Sequence, residues 1–186
     1  MAKKSNFLKQ FIKDKNMVGA VSPSSKYLGA RMIENIDFKK DKKIIELGPG
    51  TGVFTEILLD RMADDAELYI FELNEYFYDM LKERFDDPRV HIIHDSAENI
   101  AKHVPKESNN CQDVVVSSLP LMMFPDELRR NVVDAAYNSL KKNGRYIQFQ
   151  YSLQSKKFLE SIFSKVNVKF TVINFPPAFV YTCRKD

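Results

Sequence analysis

Apolar and polar residues repeat along this chain with two different periods. Short apolar runs suited to buried strands fall near 43–47, 67–73, 90–94, 112–118, 144–151, 166–174 and 178–184. Between them, patterns with helical spacing lie near 52–63, 74–85, 97–104, 125–142 and 153–164. Strands that take turns with helices in this way predict an α/β fold, a mostly parallel sheet covered by helices on both faces. The last two strands depart from that rule. Phe175, Pro176 and Pro177 are all that separates them, too little for a crossover helix, so they are expected to pair as an antiparallel hairpin at one edge.

The first strand runs into Gly48, Pro49, Gly50, Thr51 and Gly52 before an amphipathic helix opens. Glycine at every second position lets the backbone bend tightly and lets a ligand lie against bare main chain. The spacing is not that of a dinucleotide fingerprint, and no Lys-Ser/Thr pair follows as in a P-loop, so a diphosphate is not the expected ligand. Glu46, just before the turn, would repel phosphate but could hold a cationic amino-acid group. S-adenosylmethionine, with its sulfonium and ammonium, fits that requirement. Glu72 ends the second strand, where a carboxylate can accept hydrogen bonds from both ribose hydroxyls, and Leu73 follows it. After the third strand, Asp95, Ser96 and Ala97 stand where an adenine amino group could be met. Alone, each has a plainer reading: a tight loop, a solvated helix start, an N-cap. Together, in order at successive strand ends, they favour the cofactor.

Composition narrows the setting. With 186 residues, 44% hydrophobic and 28% charged, the chain suits one ordinary globular domain. No apolar run approaches the roughly 18 residues of a membrane span, and no signal peptide is evident, so a cytoplasmic location is expected. Cys111 and Cys183 fit no metal or redox spacing, the histidines add no ligand pattern, and no metal is assigned. Charge is uneven: of a net +3, residues 1–43 hold ten Lys and one Arg against four acids, leaving the remainder net negative. An anionic partner, membrane or nucleic acid, is the expected reason. Phe7, Leu8, Phe11 and Ile12 share a helical face ringed by Lys3, Lys4, Lys9, Lys13 and Lys15. That pattern suits a helix in a lipid headgroup layer and equally a helix packed on the domain. Residues 1–30 are therefore set apart as a basic amphipathic helix and loop, and 31–186 as the catalytic domain. The loop's Ser24 and Ser25 could close over a cofactor or cap the helix beginning near Lys26.

Four stretches carry a family likeness: Gly19 to Ser25, Glu46 to Thr55, Ser117 to Leu121, and Phe175 to Tyr181. On these the chain resembles bacterial phospholipid N-methyltransferases, which methylate phosphatidylethanolamine and are distant relatives of the ribosomal RNA adenine dimethylases. The resemblance implies a Rossmann-like class I methyltransferase fold with a seven-stranded sheet, S-adenosylmethionine as methyl donor and S-adenosylhomocysteine as product. It implies that Glu46, Gly48, Gly50 and Gly52 contact the methionine part, Glu72 the ribose, and Asp95 with Ser96 the adenine. It also places Ser117, which would touch the cofactor as well, with Leu119 and Pro120 on the acceptor side. Adenine N6 methylases usually have an Asn or Asp there and an aromatic ring to stack on the base. Ser117-Ser118-Leu119-Pro120-Leu121 supplies neither.

Tyr151, after the fifth strand, is the first candidate for orienting an acceptor amine, with a rim tyrosine packed under a loop as the alternative. His94, Glu98 and Tyr27 are weaker candidates. The leading expectation is N-methylation of an aminophospholipid at the inner membrane face, with the basic N-terminal helix on the anionic surface and no nucleic acid as partner. An RNA adenine methylase and a non-catalytic, cofactor-binding peripheral protein are the alternatives.

Overall fold

The computed structural model describes residues 25–105, 111–172 and 177–186. The basic helix expected in the first twenty residues, Ser24, and Phe175 with Pro176 lie outside them. Helix α1 is Ser25–Ile33; β1 is Lys43–Leu47, α2 Val53–Leu59, β2 Glu67–Phe71, α3 Glu75–Arg84 and β3 Val90–Ile93. A 3-10 turn at Ala97–Asn99 leads into α4, Ile100–His103, and then β4, Gln112–Ser117. Another 3-10 turn, Leu121–Met123, precedes α5, Asp126–Ser139; β5 is Leu140–Gln150, α6 Ser155–Glu160, β6 Lys165–Thr171 and β7 Ala178–Arg184.

The seven strands form one sheet in the order β3-β2-β1-β4-β5-β7-β6. From β3 to β5 all pairs are parallel, while β7 lies antiparallel between β5 and β6. The short link between the last two runs thus gives the antiparallel pairing it required. Chain order reverses between β1 and β4, and a crevice at such a point is where open α/β sheets bind ligands.

Two cores, one on each face, hold the layers together. On one, Ile44, Leu68, Ile70, Val114 and Val116 pack against α1, α2 and α3 through Leu28, Met32, Phe54, Leu58 and Leu81. On the other, Ile45, Leu47, Tyr69, Phe71, Val115 and Tyr146 meet α4, α5 and α6 through Ile100, Leu128, Val132 and Leu159. The period of two along each strand sends neighbouring residues to opposite cores. It therefore directs Glu46 to the α1–α3 side and Ser117 to the α4–α6 side. Helix α1 spans the boundary expected at residue 30, and its Leu28, Met32 and Ile33 are buried in the core.

One expected boundary is corrected. The helical pattern of 125–142 stops at Ser139, because Leu140 takes up extended backbone (ψ 140°) and begins β5 at once. Asn143, at φ 64°, bends the strand there, and the β4–β5 register shifts between Gln112 and Val114. Leu140 keeps the helical spacing of Val133 and Ala136 although its backbone is already extended, and so the apolar pattern hides the boundary.

Candidate active site

The glycine turn is built as its spacing requires. Gly48, Gly50 and Gly52 have φ of 66°, 58° and 82°, a left-handed region that disfavours any residue with a Cβ. Two hydrogen bonds tie the adjoining loops to strand ends: Gly48 N donates to Phe71 O at 2.9 Å, and Ser118 N to Leu47 O at 2.9 Å. A Cβ on Gly48 would come within 2.5 Å of Leu119 Cδ2, so the turn and the loop after β4 touch at this point. A Cβ on Gly50 would meet nothing within 4 Å. The bare main chain at Gly50 faces open space of the kind a ligand occupies.

Glu46 is fully buried. Thr55, in the first turn of α2, donates its hydroxyl to Glu46 Oε2 at 2.7 Å, while Oε1 has no hydrogen-bond partner. Burial pushes this carboxyl up to about 7; the Thr55 bond opposes the rise and the Glu72 charge adds to it. A buried acid with one oxygen unmet is an attachment point for a cation. Glu72 is held from two sides, accepting Gly50 N at 3.1 Å on Oε2 and Asn74 N at 2.8 Å on Oε1. Burial raises its carboxyl as well, against the pull of those backbone donors and of His94.

Asp95 is held by its own neighbours. Its Oδ1 accepts Ser96 N at 2.7 Å and Asn99 Nδ2 at 2.8 Å, and its Oδ2 faces His103 Nε2 at 2.6 Å. Burial works to raise this carboxyl, but the bonds from His103, Asn99 and Ser96 hold it below its ordinary value. Ser96 caps the 3-10 turn that follows, and Ala97 packs into the core. His94 bonds Leu73 O at 3.2 Å and stacks on Tyr78, while Glu98 receives Asn131 Nδ2 at 2.9 Å.

At the end of β4, where an acceptor is expected, Ser117 is buried, Ser118 Oγ is buried without a partner, and Leu121 is core rather than lining. Tyr151 stands exposed at the rim with its ring edge-on to Phe149 at 5.7 Å.

A family model described as "Methyltransferase domain" matches residues 44–144, more than half of the chain, starting in β1 with its glycine turn and ending in β5. The chain belongs to this methyltransferase family. It is an S-adenosylmethionine-dependent enzyme of the class I fold. The methyltransferase is 28% identical to an ornithine lipid N-methyltransferase of Singulisphaera acidiphila, over 96% of its own length and 94% of that protein's. It is 26% identical to ribosomal RNA small subunit methyltransferase A of Borreliella afzelii over 89% of its length, and spans 57% of that protein. In fold it is similar to the 1,6-didemethyltoxoflavin-N1-methyltransferase of Burkholderia thailandensis, a structure holding S-adenosylhomocysteine, with a TM-score of 0.73 and 14% identity over 98% of this chain and 86% of that one.

The geometry adds to the methyltransferase several residues that sequence reasoning passed over. Thr55 and the Asn74 amide hold the two glutamates. Gln148 and Gln150 both donate to Leu119 O, at 2.9 and 3.1 Å, and Gln148 Oε1 accepts the buried Tyr146 hydroxyl at 2.7 Å. Two glutamines two residues apart in an interior strand were the available signal: they share a face that should be apolar. Replacing Gln148 with Leu should destabilise the protein by about 1–3 kcal/mol, because the Tyr146 hydroxyl loses its acceptor. Turnover should fall further than cofactor affinity does. Thermal melts and single-turnover rates would show it; unchanged turnover would leave Gln148 with a purely structural role.

Proposed function

We propose that this methyltransferase N-methylates the amine of an aminophospholipid headgroup, phosphatidylethanolamine first among them, at a membrane surface. The observation that carries the reading is the loop after β4. Its Ser118 offers a hydroxyl where an adenine methylase would offer an amide, and Leu121 lies in the core instead of presenting a ring. A flipped base would find neither its hydrogen-bond partner nor its stacking surface, whereas a small aliphatic amine needs neither. Similarity to a lipid N-methyltransferase along nearly the whole length of both chains supports the same direction.

When bound, S-adenosylmethionine supplies a methyl group made electrophilic by its sulfonium. The unmet Glu46 Oε1 and the turn Gly48 to Gly52, with Pro49 and Thr51, suit its aminoacyl end, and Glu72 suits the ribose. Leu73 and the segment Asp95 to Ala97 would border the adenine, with Ser25 at the start of α1. The chain's main contribution is alignment, since displacement at a methyl carbon needs the nucleophile placed in line. The acceptor must present a lone pair, so its ammonium has to lose a proton. Desolvation against Leu119, Pro120 and Tyr151 favours the neutral amine, and the Tyr151 ring can face a growing methylammonium. Ser117 and the glutamines of β5 hold the loop. Residues preceding α1 would attach the enzyme to anionic lipid; among the described residues no helix is long and apolar enough to cross a membrane.

Purified protein with labelled cofactor is expected to methylate phosphatidylethanolamine in vesicles containing anionic lipid. Label entering ribosomal RNA and not lipid would replace this reading with the adenine methylase, which the Borreliella similarity favours.

A further inference from the structure

The large apolar side chains left exposed among the described residues all sit at one edge of the sheet. Strands β5 and β6 both run antiparallel to β7, so their ends at Gln150 and Thr171 share an edge with the ends of β1 to β4, where the glycine turn lies. Just past β5 come Tyr151 and Leu153, and at the end of β6 come Phe170, 52% exposed, and Val172, 69% exposed. Phe170 lies against Phe179 at 4.9 Å between ring centres, beside the start of β7. Met123 follows β4 on the same edge. Tyr76 occupies the first turn of α3, directly after β2, and Tyr27 the first turn of α1. Asn35, beyond the other end of α1, reaches Thr182 Oγ1 at 3.0 Å, well along β7; the start of α1 therefore points to the cofactor edge.

Scattered single apolar residues on a surface need no explanation, but confinement to one rim does. We infer that this rim, centred on Leu153, Phe170 and Val172, is a lipid-insertion surface that presses into the headgroup layer of an anionic bilayer, so that the acceptor loop opens directly onto the membrane. The inference rests on the lipid reading above and names the face that meets the lipid. Tyrosines at the boundary of an apolar patch suit an interface that is wet on one side. Charge points the same way. Lys156 and Lys157 lie in the first turn of α6 beside Leu153, Lys156 paired with Glu160 at 3.7 Å, while the acids Glu75, Asp95, Glu98, Asp126 and Glu127 stand past the ends of β2, β3 and β4. The chain also enters α1 at this edge, directly after a segment holding Lys3, Lys4, Lys9, Lys13 and Lys15, which suits an anionic surface.

The triple variant Leu153→Ser, Phe170→Ser, Val172→Ser should sediment with phosphatidylglycerol–phosphatidylcholine vesicles about tenfold less, or weaker still. It should methylate a short-chain phosphatidylethanolamine, kept below its micelle concentration, at the native rate. Vesicle binding equal to that of the native protein overturns the inference. If the variant loses both activities, an insertion probe decides. The chain has no tryptophan, so Leu153→Trp, with Lys142→Trp as the control at the opposite edge, gives a single reporter on vesicles of brominated lipid. Quenching of Leu153→Trp and not of Lys142→Trp supports insertion. An unquenched Leu153→Trp on bound protein overturns it. Quenching without methyl transfer to any aminolipid would remove the substrate reading and leave the surface. Methyl transfer with no quenching would do the reverse.

Discussion

Glu46→Gln is expected to bind S-adenosylhomocysteine roughly a hundredfold more weakly than the native enzyme, as removal of one partner of a buried charge pair does. It should also melt higher without ligand at pH 8. Both effects come from one carboxyl that burial pushes up to about 7. An acid whose folded value lies above its unfolded one binds protons more tightly when folded. Its contribution to stability is therefore whole below the unfolded value of about 4.5 and is lost as pH climbs through about 7. By that linkage the ionised carboxylate costs the ligand-free protein about 3 kcal/mol at pH 8, and the neutral amide removes the cost while still accepting from Thr55. A rise of about 5 °C or more in the melting temperature should follow at pH 8, with little difference at pH 4. Ligand binding should tighten from pH 5.5 to 8 in the native protein and lose that dependence in the variant. Titration calorimetry across this range tests both halves, and undiminished affinity in Glu46→Gln would remove Glu46 from the cofactor site.

Gly48→Ala should slow methyl transfer by about tenfold or more, and its partner Gly50→Ala should weaken cofactor binding instead. Both positions have positive φ, 66° and 58°, so an added Cβ strains the backbone by about 1–2 kcal/mol in either case. What differs is the space beyond. The Cβ at 48 would meet Leu119 at 2.5 Å and push on the acceptor loop, whereas at 50 it would project into unoccupied room. Displacing aligned groups by a fraction of an ångström is costly for a displacement reaction. Leu119→Ala in the Gly48→Ala background should restore part of the rate and none of the stability. Equal effects of the two alanines on rate and on cofactor affinity would dissolve the distinction.

Much of this was legible in residue order, because strand ends and glycines are local signals. Gly48, Gly50 and Gly52 declared their backbone, and the shortness of the link at 175–177 declared an antiparallel partner. The kink at Asn143 was not legible, since it depends on how β5 meets β4 in space. The support of the acceptor loop was hidden for the same reason: Gln148 and Gln150 lie about thirty positions from Leu119 in the sequence and meet it through sheet pairing. Asp95 shows the opposite limit. Its position at a strand end suggested a ligand, and the structure surrounds it with its own neighbours, Ser96, Asn99 and His103, whose chemistry the sequence displayed without their geometry.

The sheet sorts its polar groups by side. Glu46 and Glu72 project with the residues that face α1 to α3, while Ser117, Tyr146, Gln148 and Gln150 project toward α4 to α6. On the proposed reading, the groups suited to the donor and those that support the loop after β4 thus stand on opposite surfaces of one wall. A change on the second surface would therefore be felt on the first chiefly where Leu119 approaches Gly48.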